Sequence, residues 1–267
     1  MPAPLHFSML RRVAPIDLER AAAVASHAAD LAREETVARF RNVNVEIKGD
    51  GSPVTEADRA AERRIREALL AEFPDFAVLG EEYGGPVQAD GPQWIIDPID
   101  GTLAYTRGLP LYSTLIALSV DGEPVVGLID LPLLGERYVA WKGGGCTRNG
   151  EPTRVSQSSD LETAIVSHGD VLCFDRANAR AGWDRMAARI PFLRGYTDAF
   201  GHGMVLGGGV DAMVDFDLSP WDAAATRILV PEAGGACHTR AGNDDKVGLI
   251  FGSPALCDQL LAMFDES

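Results

Sequence analysis

Between residues 16 and 40 the apolar positions fall at Leu18, Ala21, Ala22, Ala25, Ala28 and Leu31, with charged residues between them. Steps of three and four predict a helix with a small-residue face. The polar stretch Lys48-Gly49-Asp50-Gly51-Ser52-Pro53 reads as a loop. VTEADRAAERRIREALLAEFP then predicts a second helix, with Ile65, Ala68 and Leu69 on its apolar face and Pro74 just past its end. Thr55, three residues before Asp58, resembles a capping box. Strand character follows at 77–79 and 93–97. YSTLIALSV and EPVVGLIDLP flank Asp121-Gly122, a strong hairpin dipeptide, and RYVAWKGGG continues the run to a further turn at Asn149-Gly150.

Beyond residue 150 the texture shifts to shorter strands, at 163–167, 193–196, 211–216 and 247–251, alternating with helices near 175–189 and 199–208, from 221 and from 254. The first half therefore predicts helices with an antiparallel-leaning sheet, and the second half an α/β arrangement. No internal repeat or low-complexity linker separates them. Residues 1–150 are expected as an N-terminal α+β lobe and 151–267 as a C-terminal α/β lobe, packed as one unit.

Composition narrows the partners. The chain has 267 residues, 46% of them hydrophobic, which is ample for a core, and a formal charge of −15. Such acidity disfavours nucleic acid and anionic membranes, because phosphate binding leans on Lys and Arg. Small anions remain accessible if divalent cations sit between. Cysteines at 146, 173, 237 and 257 lack paired spacing, which argues against a zinc ribbon or a disulfide framework and for reduced thiols. MPAPLHFSMLRRVAPIDLER has no apolar leader core, and no apolar run approaches the roughly 20 residues of a membrane span. The expectation is a cytoplasmic protein.

The chemistry gathers in carboxylates. In WIIDPIDGTLAYTRGLP, Asp97 and Asp100 flank Pro98 and Ile99 straight after an apolar run. Taken singly, each acid has a plain structural reading: Asp97 and Asp100 as turn formers, Glu81-Glu82 as a solvated loop, Asp58 and Asp222 as helix caps. Together, Glu81, Asp97 and Asp100 sit at strand ends or in the loops that follow, where sites form in open α/β sheets. Clustered carboxylates repel unless cations lie among them, and hard oxygen donors without His or Cys point to Mg²⁺. Gly101-Thr102 opens a short helical stretch whose N–H groups suit an anion. No Gly-x-Ser-x-Gly, His-Glu-x-x-His or Walker loop is present, and GHGMVLGGG lacks dinucleotide-fingerprint spacing. Histidines 6, 27, 168, 202 and 238 are scattered and read as structural or exposed; Trp94 and Trp141 are expected in or beside the sheet.

DPIDGT at 97–102, GEE at 80–82, VTEAD at 54–58 and WDAAATRILVPEAGG at 221–235 together resemble the inositol monophosphatase family, magnesium-dependent phosphomonoesterases related to fructose bisphosphatase. The resemblance spans nearly the whole chain and implies a layered αβαβα sandwich. It places metal ligands on Glu81, Asp97, the carbonyl of Ile99, Asp100 and Asp222, for two or three Mg²⁺. It places the water-activating pair on Asp58 and Thr102, with in-line attack and no phosphoenzyme, and it implies inhibition by Li⁺ and a homodimer. Gly101, Thr102, Asp198, Asp215 and Asp222 are the substrate-binding candidates.

Asp198 falls where inositol phosphatases of the family usually carry a small residue, near the leaving group. An acid there favours a cationic alcohol, and LRGYTD, GLIDLPLLGERYVA and GTLAYTRGLPLYSTLIAL look more like the family's histidinol-phosphate phosphatases; its structural alternative is a helix N-cap. Many relatives carry Glu seven residues before the last metal-binding Asp. Here that position is Asp215, one methylene shorter, with Asp217 as a possible substitute. Inositol monophosphate or a broad set of sugar phosphates is the alternative substrate class. A nucleotide bisphosphatase would need a second phosphate site, for which Lys48, Arg107 and Arg194 are the nearest cations. A regulatory binding protein on this scaffold is a further alternative, against which the complete ligand set stands.

Overall fold

The computed structural model describes residues 16–49 and 51–265. The segment MPAPLHFSMLRRVAP with His6, Asp50 and the last two residues lie outside the described residues. The first helix, α1 (Leu18–Arg39), starts where the Asp17 carboxylate accepts from the Arg20 N–H at 2.9 Å. Its alanine face is buried, and small side chains there let it lie close to α2 (Glu56–Glu72). Between them, β1 (Val45–Ile47) and β2 (Pro53–Thr55) form an antiparallel hairpin whose turn is the polar loop of the sequence reading.

Seven strands follow: β3 (Ala77–Gly80), β4 (Pro92–Asp100), β5 (Ser113–Val120), β6 (Glu123–Leu131), β7 (Glu136–Trp141), β8 (Gly145–Arg148) and β9 (Glu151–Pro152), with the short α3 (Thr102–Thr106) after β4. They lie in sequence order in one sheet, antiparallel except for the β3–β4 pair. Asp121 and Gly122 (φ +52° and +80°), like Asn149 and Gly150 (+53° and +85°), take the left-handed conformations that tight hairpins need.

The second sheet has strand order β11-β10-β12-β14-β13. It comprises β10 (Ile165–His168), β11 (Phe192–Arg194), β12 (Ala212–Leu218), β13 (Ala236–Ala241) and β14 (Val247–Gly252), interleaved with α4 (Val171–Arg176), α5 (Arg180–Arg189), α6 (Asp198–Leu206) and α7 (Pro220–Glu232) and closed by α8 (Pro254–Asp265). Here β10 pairs in parallel with β11 and β12, whereas β14 runs antiparallel to both its neighbours.

Of the four apolar clusters among the described residues, three lie between the layers. One lies between α1, α2 and the first sheet, one between the two sheets around α6 and α7, and one between the second sheet and α4, α5 and α8. The result is the five-layer αβαβα sandwich expected from the sequence. Trp94 is fully buried in the first cluster and Trp141 packs against it.

The structure departs from the sequence reading in four places. The helix expected over 175–189 is two, α4 and α5, because Asn178 takes φ +54° between them. β13 was not anticipated; its side chains are mostly half-buried, so it lacks a strong alternation. The β1–β2 hairpin was read only as a loop. The strand expected to end at Asp97 runs on to Asp100, with consequences for the site.

Candidate active site

Residues three apart on a regular strand point to opposite faces. Asp97 and Asp100 do not, because β4 is irregular between them: Asp97 pairs with Leu115 and Asp100 with Ser113, so one extra residue bulges out. Pro98 has no N–H to lose there, and its carbonyl accepts from the Thr114 hydroxyl at 2.8 Å. The bulge delivers both carboxylates and Ile99 to one cavity of about 190 Å³. Gly101 (φ +80°) then turns the chain into α3.

Two further acids are fixed by the same local device. Asp58 and Asp222 each occupy the third position of a helix behind a Thr or Ser cap. Asp58 Oδ2 accepts from the Thr55 N–H at 2.9 Å and its hydroxyl at 2.6 Å; Asp222 Oδ2 accepts from the Ser219 N–H at 2.7 Å. Asp222 is therefore not the cap itself, as its plain reading had it, but the reciprocal partner of Ser219.

Asp97, Asp100 and Asp222 present carboxylate oxygens within 4.8 Å of one another. Burial, then neighbouring carboxylates, pushes Asp97 and Asp100 well above the usual carboxylate range, and burial carries Asp222 to about 7. The donors are all oxygen, anionic and mutually repelling, which fits a hard divalent cation and leaves the cluster electrostatically unbalanced without one. Glu81 lines the same cavity, and its Oε1 accepts from Lys48 Nζ at 2.8 Å.

Thr102 joins the cavity to Asp58. Its hydroxyl lies 3.3 Å from Asp58 Oδ1 and 2.9 Å from the Ile99 carbonyl. Asp58 is wholly buried and is not among the described residues lining the cavity; Thr102 links it to them. Burial raises its carboxyl despite the hydrogen bonds from Thr55.

Asp198, Asp170, Asp215 and Asp217 line the same cavity, and none of the described residues lining it is Lys or Arg. Asp198 takes φ +58°, a conformation that costs a non-glycine residue about 1 kcal/mol or more. Its Oδ2 would lie 3.2 Å from a Cβ placed on Gly101. Burial, followed by the charges of Asp215 and Asp170, lifts Asp198 to about 6. The cap of α6 is Thr197 rather than Asp198. Asp217 is engaged by Arg176 at 2.5 Å.

The structure thus brings Glu81, Asp97, Ile99, Asp100, Gly101, Thr102, Asp198, Asp215 and Asp222 to one cavity, with Asp58 directly behind. Of the three cations considered for a second phosphate, Lys48 binds Glu81 and Glu82, Arg107 lines a neighbouring groove, and Arg194 turns to the Leu193 carbonyl. Sequence reasoning missed Asp170 and His202, which both line the cavity. Asp170 was detectable as an acid just past the end of a predicted strand.

It also missed Glu62. This side chain is fully buried and accepts from the Glu82 N–H at 2.7 Å, the Tyr83 N–H at 3.3 Å and Arg66 Nε at 2.7 Å, clamping the turn that carries Glu81. Gly80 makes room: a Cβ there would fall 2.1 Å from Glu62 Oε1. Glu62→Ala should destabilise the fold by about 2–4 kcal/mol, since it leaves two N–H groups unpaired and Arg66 with backbone carbonyls but no carboxylate. A urea midpoint equal to wild type would refute the clamp.

The sequence model of the inositol monophosphatase family matches residues 15–261. The chain is 39% identical over 227 residues to the histidinol-phosphatase of Chlorobaculum parvum, spanning 83% of this chain and 87% of that one. It is 39% identical over 214 residues to the histidinol-phosphatase of Mycobacterium tuberculosis, spanning 78% and 82%. Among solved structures, extragenic suppressor protein SuhB from Bartonella henselae matches with a TM-score of 0.83 at 28% identity, covering 93% of this chain and 99% of that one.

Proposed function

Because this chain belongs to the inositol monophosphatase family and is a phosphoric monoester hydrolase, we propose that it hydrolyses L-histidinol phosphate to L-histidinol and phosphate in a Mg²⁺-dependent reaction. The observation that carries the substrate is the group of further acids, Asp170, Asp198, Asp215 and Asp217, that line the same cavity as the metal-ligand candidates, with the strained Asp198 beside Gly101. Inositol is neutral, whereas histidinol carries an ammonium group and an imidazole. A cavity lined, among the described residues, by many carboxylates and by no Lys or Arg favours the cation. The names of the two curated relatives agree with this reading.

Glu81, Asp97, the Ile99 carbonyl, Asp100 and Asp222 would hold the metal. When bound, Mg²⁺ supplies Lewis-acid chemistry, lowering the pKa of water and offsetting charge on the phosphate. Thr102 orients the attacking water with its hydroxyl, and Asp58 behind it takes the proton. Burial suits Asp58 to this role, because a carboxylate raised above its ordinary value is a better base near neutral pH. The N–H groups of Gly101 and Thr102 are offered to the phosphate, and the alcohol leaves on the side of Asp198 and Asp215.

The test is phosphate release from L-histidinol phosphate and inositol 1-phosphate, side by side, with and without Mg²⁺. A clear preference for histidinol phosphate is expected, and equal or better use of inositol phosphate would overturn the substrate assignment. Asp198→Asn is the sharper probe than alanine, because asparagine tolerates the left-handed backbone. It should lower kcat/KM for histidinol phosphate by about tenfold or more and change inositol phosphate by less than about threefold. Equal losses on both would make Asp198 a backbone residue only. An adjoining groove of about 500 Å³, with Arg107 in its wall, favours a second reading, an ester carrying a further phosphate. A nucleotide bisphosphate as third substrate decides it.

A further inference from the structure

His202 is buried to 1% exposure on α6, lines the cavity, and plays no part in the chemistry above. Its Nε2 lies 3.2 Å from Asp215 Oδ2, and its Nδ1 lies 2.6 Å from the hydroxyl of Thr226 on α7. Phe251 of β14 meets the ring edge-on at 4.8 Å. A carboxylate only accepts, so Nε2 donates to Asp215, and Nδ1 is paired with the Thr226 hydroxyl, which can donate or accept.

The other face of Asp215 is equally constrained. A Cβ on Gly169 would fall 1.9 Å from Asp215 Oδ1, so the carboxylate rests against a bare backbone. Asp215 itself is 3% exposed. A side chain this short has little reach into the cavity, and where its oxygens sit is decided by what grips them. Two other elements, α6 and α7, supply that grip to Asp215 on β12 in a chain Thr226–His202–Asp215.

We propose that His202 is a positioning residue for leaving-group recognition, holding the Asp215 carboxylate at the cavity wall so that Asp215 and Asp198 together read the alcohol half of the substrate. This deepens the reading above and rests on it for the placement of that alcohol.

The test is a double-mutant cycle between His202→Leu and Asp215→Ala at saturating Mg²⁺. L-histidinol phosphate, inositol 1-phosphate and p-nitrophenyl phosphate are the probes, the last offering Asp215 neither amine nor aliphatic hydroxyl. His202→Leu should lower kcat/KM on the preferred natural ester by about tenfold, mainly through KM, and alter p-nitrophenyl phosphate by less than about twofold. His202→Gln, which keeps a donor, should recover most of the loss. In the Asp215→Ala background, His202→Leu should add less than about a twofold effect.

The same loss on all three esters, or full additivity with Asp215→Ala, would overturn the proposal and leave His202 as core packing. Should His202→Leu fold poorly, Thr226→Val carries the same prediction at about threefold, and an unaltered KM there overturns it as well. A wild type that prefers inositol phosphate sinks the histidinol assignment alone, since the cycle is then read on inositol phosphate.

Discussion

Asp100→Asn is expected to lower kcat/KM by on the order of 10³-fold at saturating Mg²⁺, the scale of several kcal/mol of lost charge stabilisation, while leaving the fold intact. Both halves of that statement come from the geometry. Asp100 Oδ2 accepts from the Ala199 N–H at 2.6 Å and from the Ser113 hydroxyl at 3.0 Å. An amide oxygen can take both bonds, so asparagine preserves the link between β4, β5 and the start of α6. What it cannot supply is negative charge beside Asp97 and Asp222. The cluster's repulsion falls, and the chelated variant should melt no lower than chelated wild type at pH 8. Loss of activity without loss of stability is the signature of a residue kept for chemistry. Wild-type turnover on any phosphomonoester that the wild type accepts would remove Asp100 from the proposed metal site. A collapse in melting temperature would recast it as a structural link.

The parts of this site that were legible in the chain are those set by local rules. Asp121-Gly122 and Asn149-Gly150 announce their turns because two successive residues must take positive φ. Asp58 is legible because a Thr three residues earlier makes a capping box, and Asp222 stands in the same relation to Ser219. The parts that were not legible depend on pairing across distance. That Asp97 and Asp100 belong to one site was read from the chain, but the bulge in β4 that turns both to one cavity was not, and nothing in DPIDGT by itself says that the strand continues. His202 is one histidine among five until α7 brings Thr226 to one of its nitrogens and β12 brings Asp215 to the other. Glu62 reads as one more charge on an exposed helix face until the turn after β3 folds onto it. Asp198 lay between the two cases. Its position was countable from Asp222, but its left-handed backbone was not.

Removing divalent metal should abolish turnover and make the protein less stable as the pH rises. Asp222 holds its proton up to about 7 and Asp198 up to about 6 in the folded chain, against 3.8 for an ordinary aspartate; Asp97 and Asp100 are shifted the same way by burial and by one another. Below about pH 4 both folded and unfolded chains are protonated at these groups, and no penalty arises. As the pH climbs from there toward 7, the unfolded chain gives up its protons first, binds fewer than the folded chain, and gains on it. Above about 7 the loss from Asp198 and Asp222 is complete. One pKa unit corresponds to about 1.4 kcal/mol, so the chelated protein should melt at least about 5 °C lower at pH 8 than at pH 5. Mg²⁺ at pH 8 should restore the difference by binding the folded state alone, and at pH 5 should do little, because protons already neutralise the cluster. The acidity of the whole chain contributes to the same slope, so the scan is repeated with Asp97→Asn/Asp100→Asn, which should make it shallower by the share of those two groups and abolish the response to Mg²⁺. A chelated wild type that gains stability between pH 5 and pH 8, or a Mg²⁺ response that survives the double substitution, would mean that the cluster is not where the cation sits.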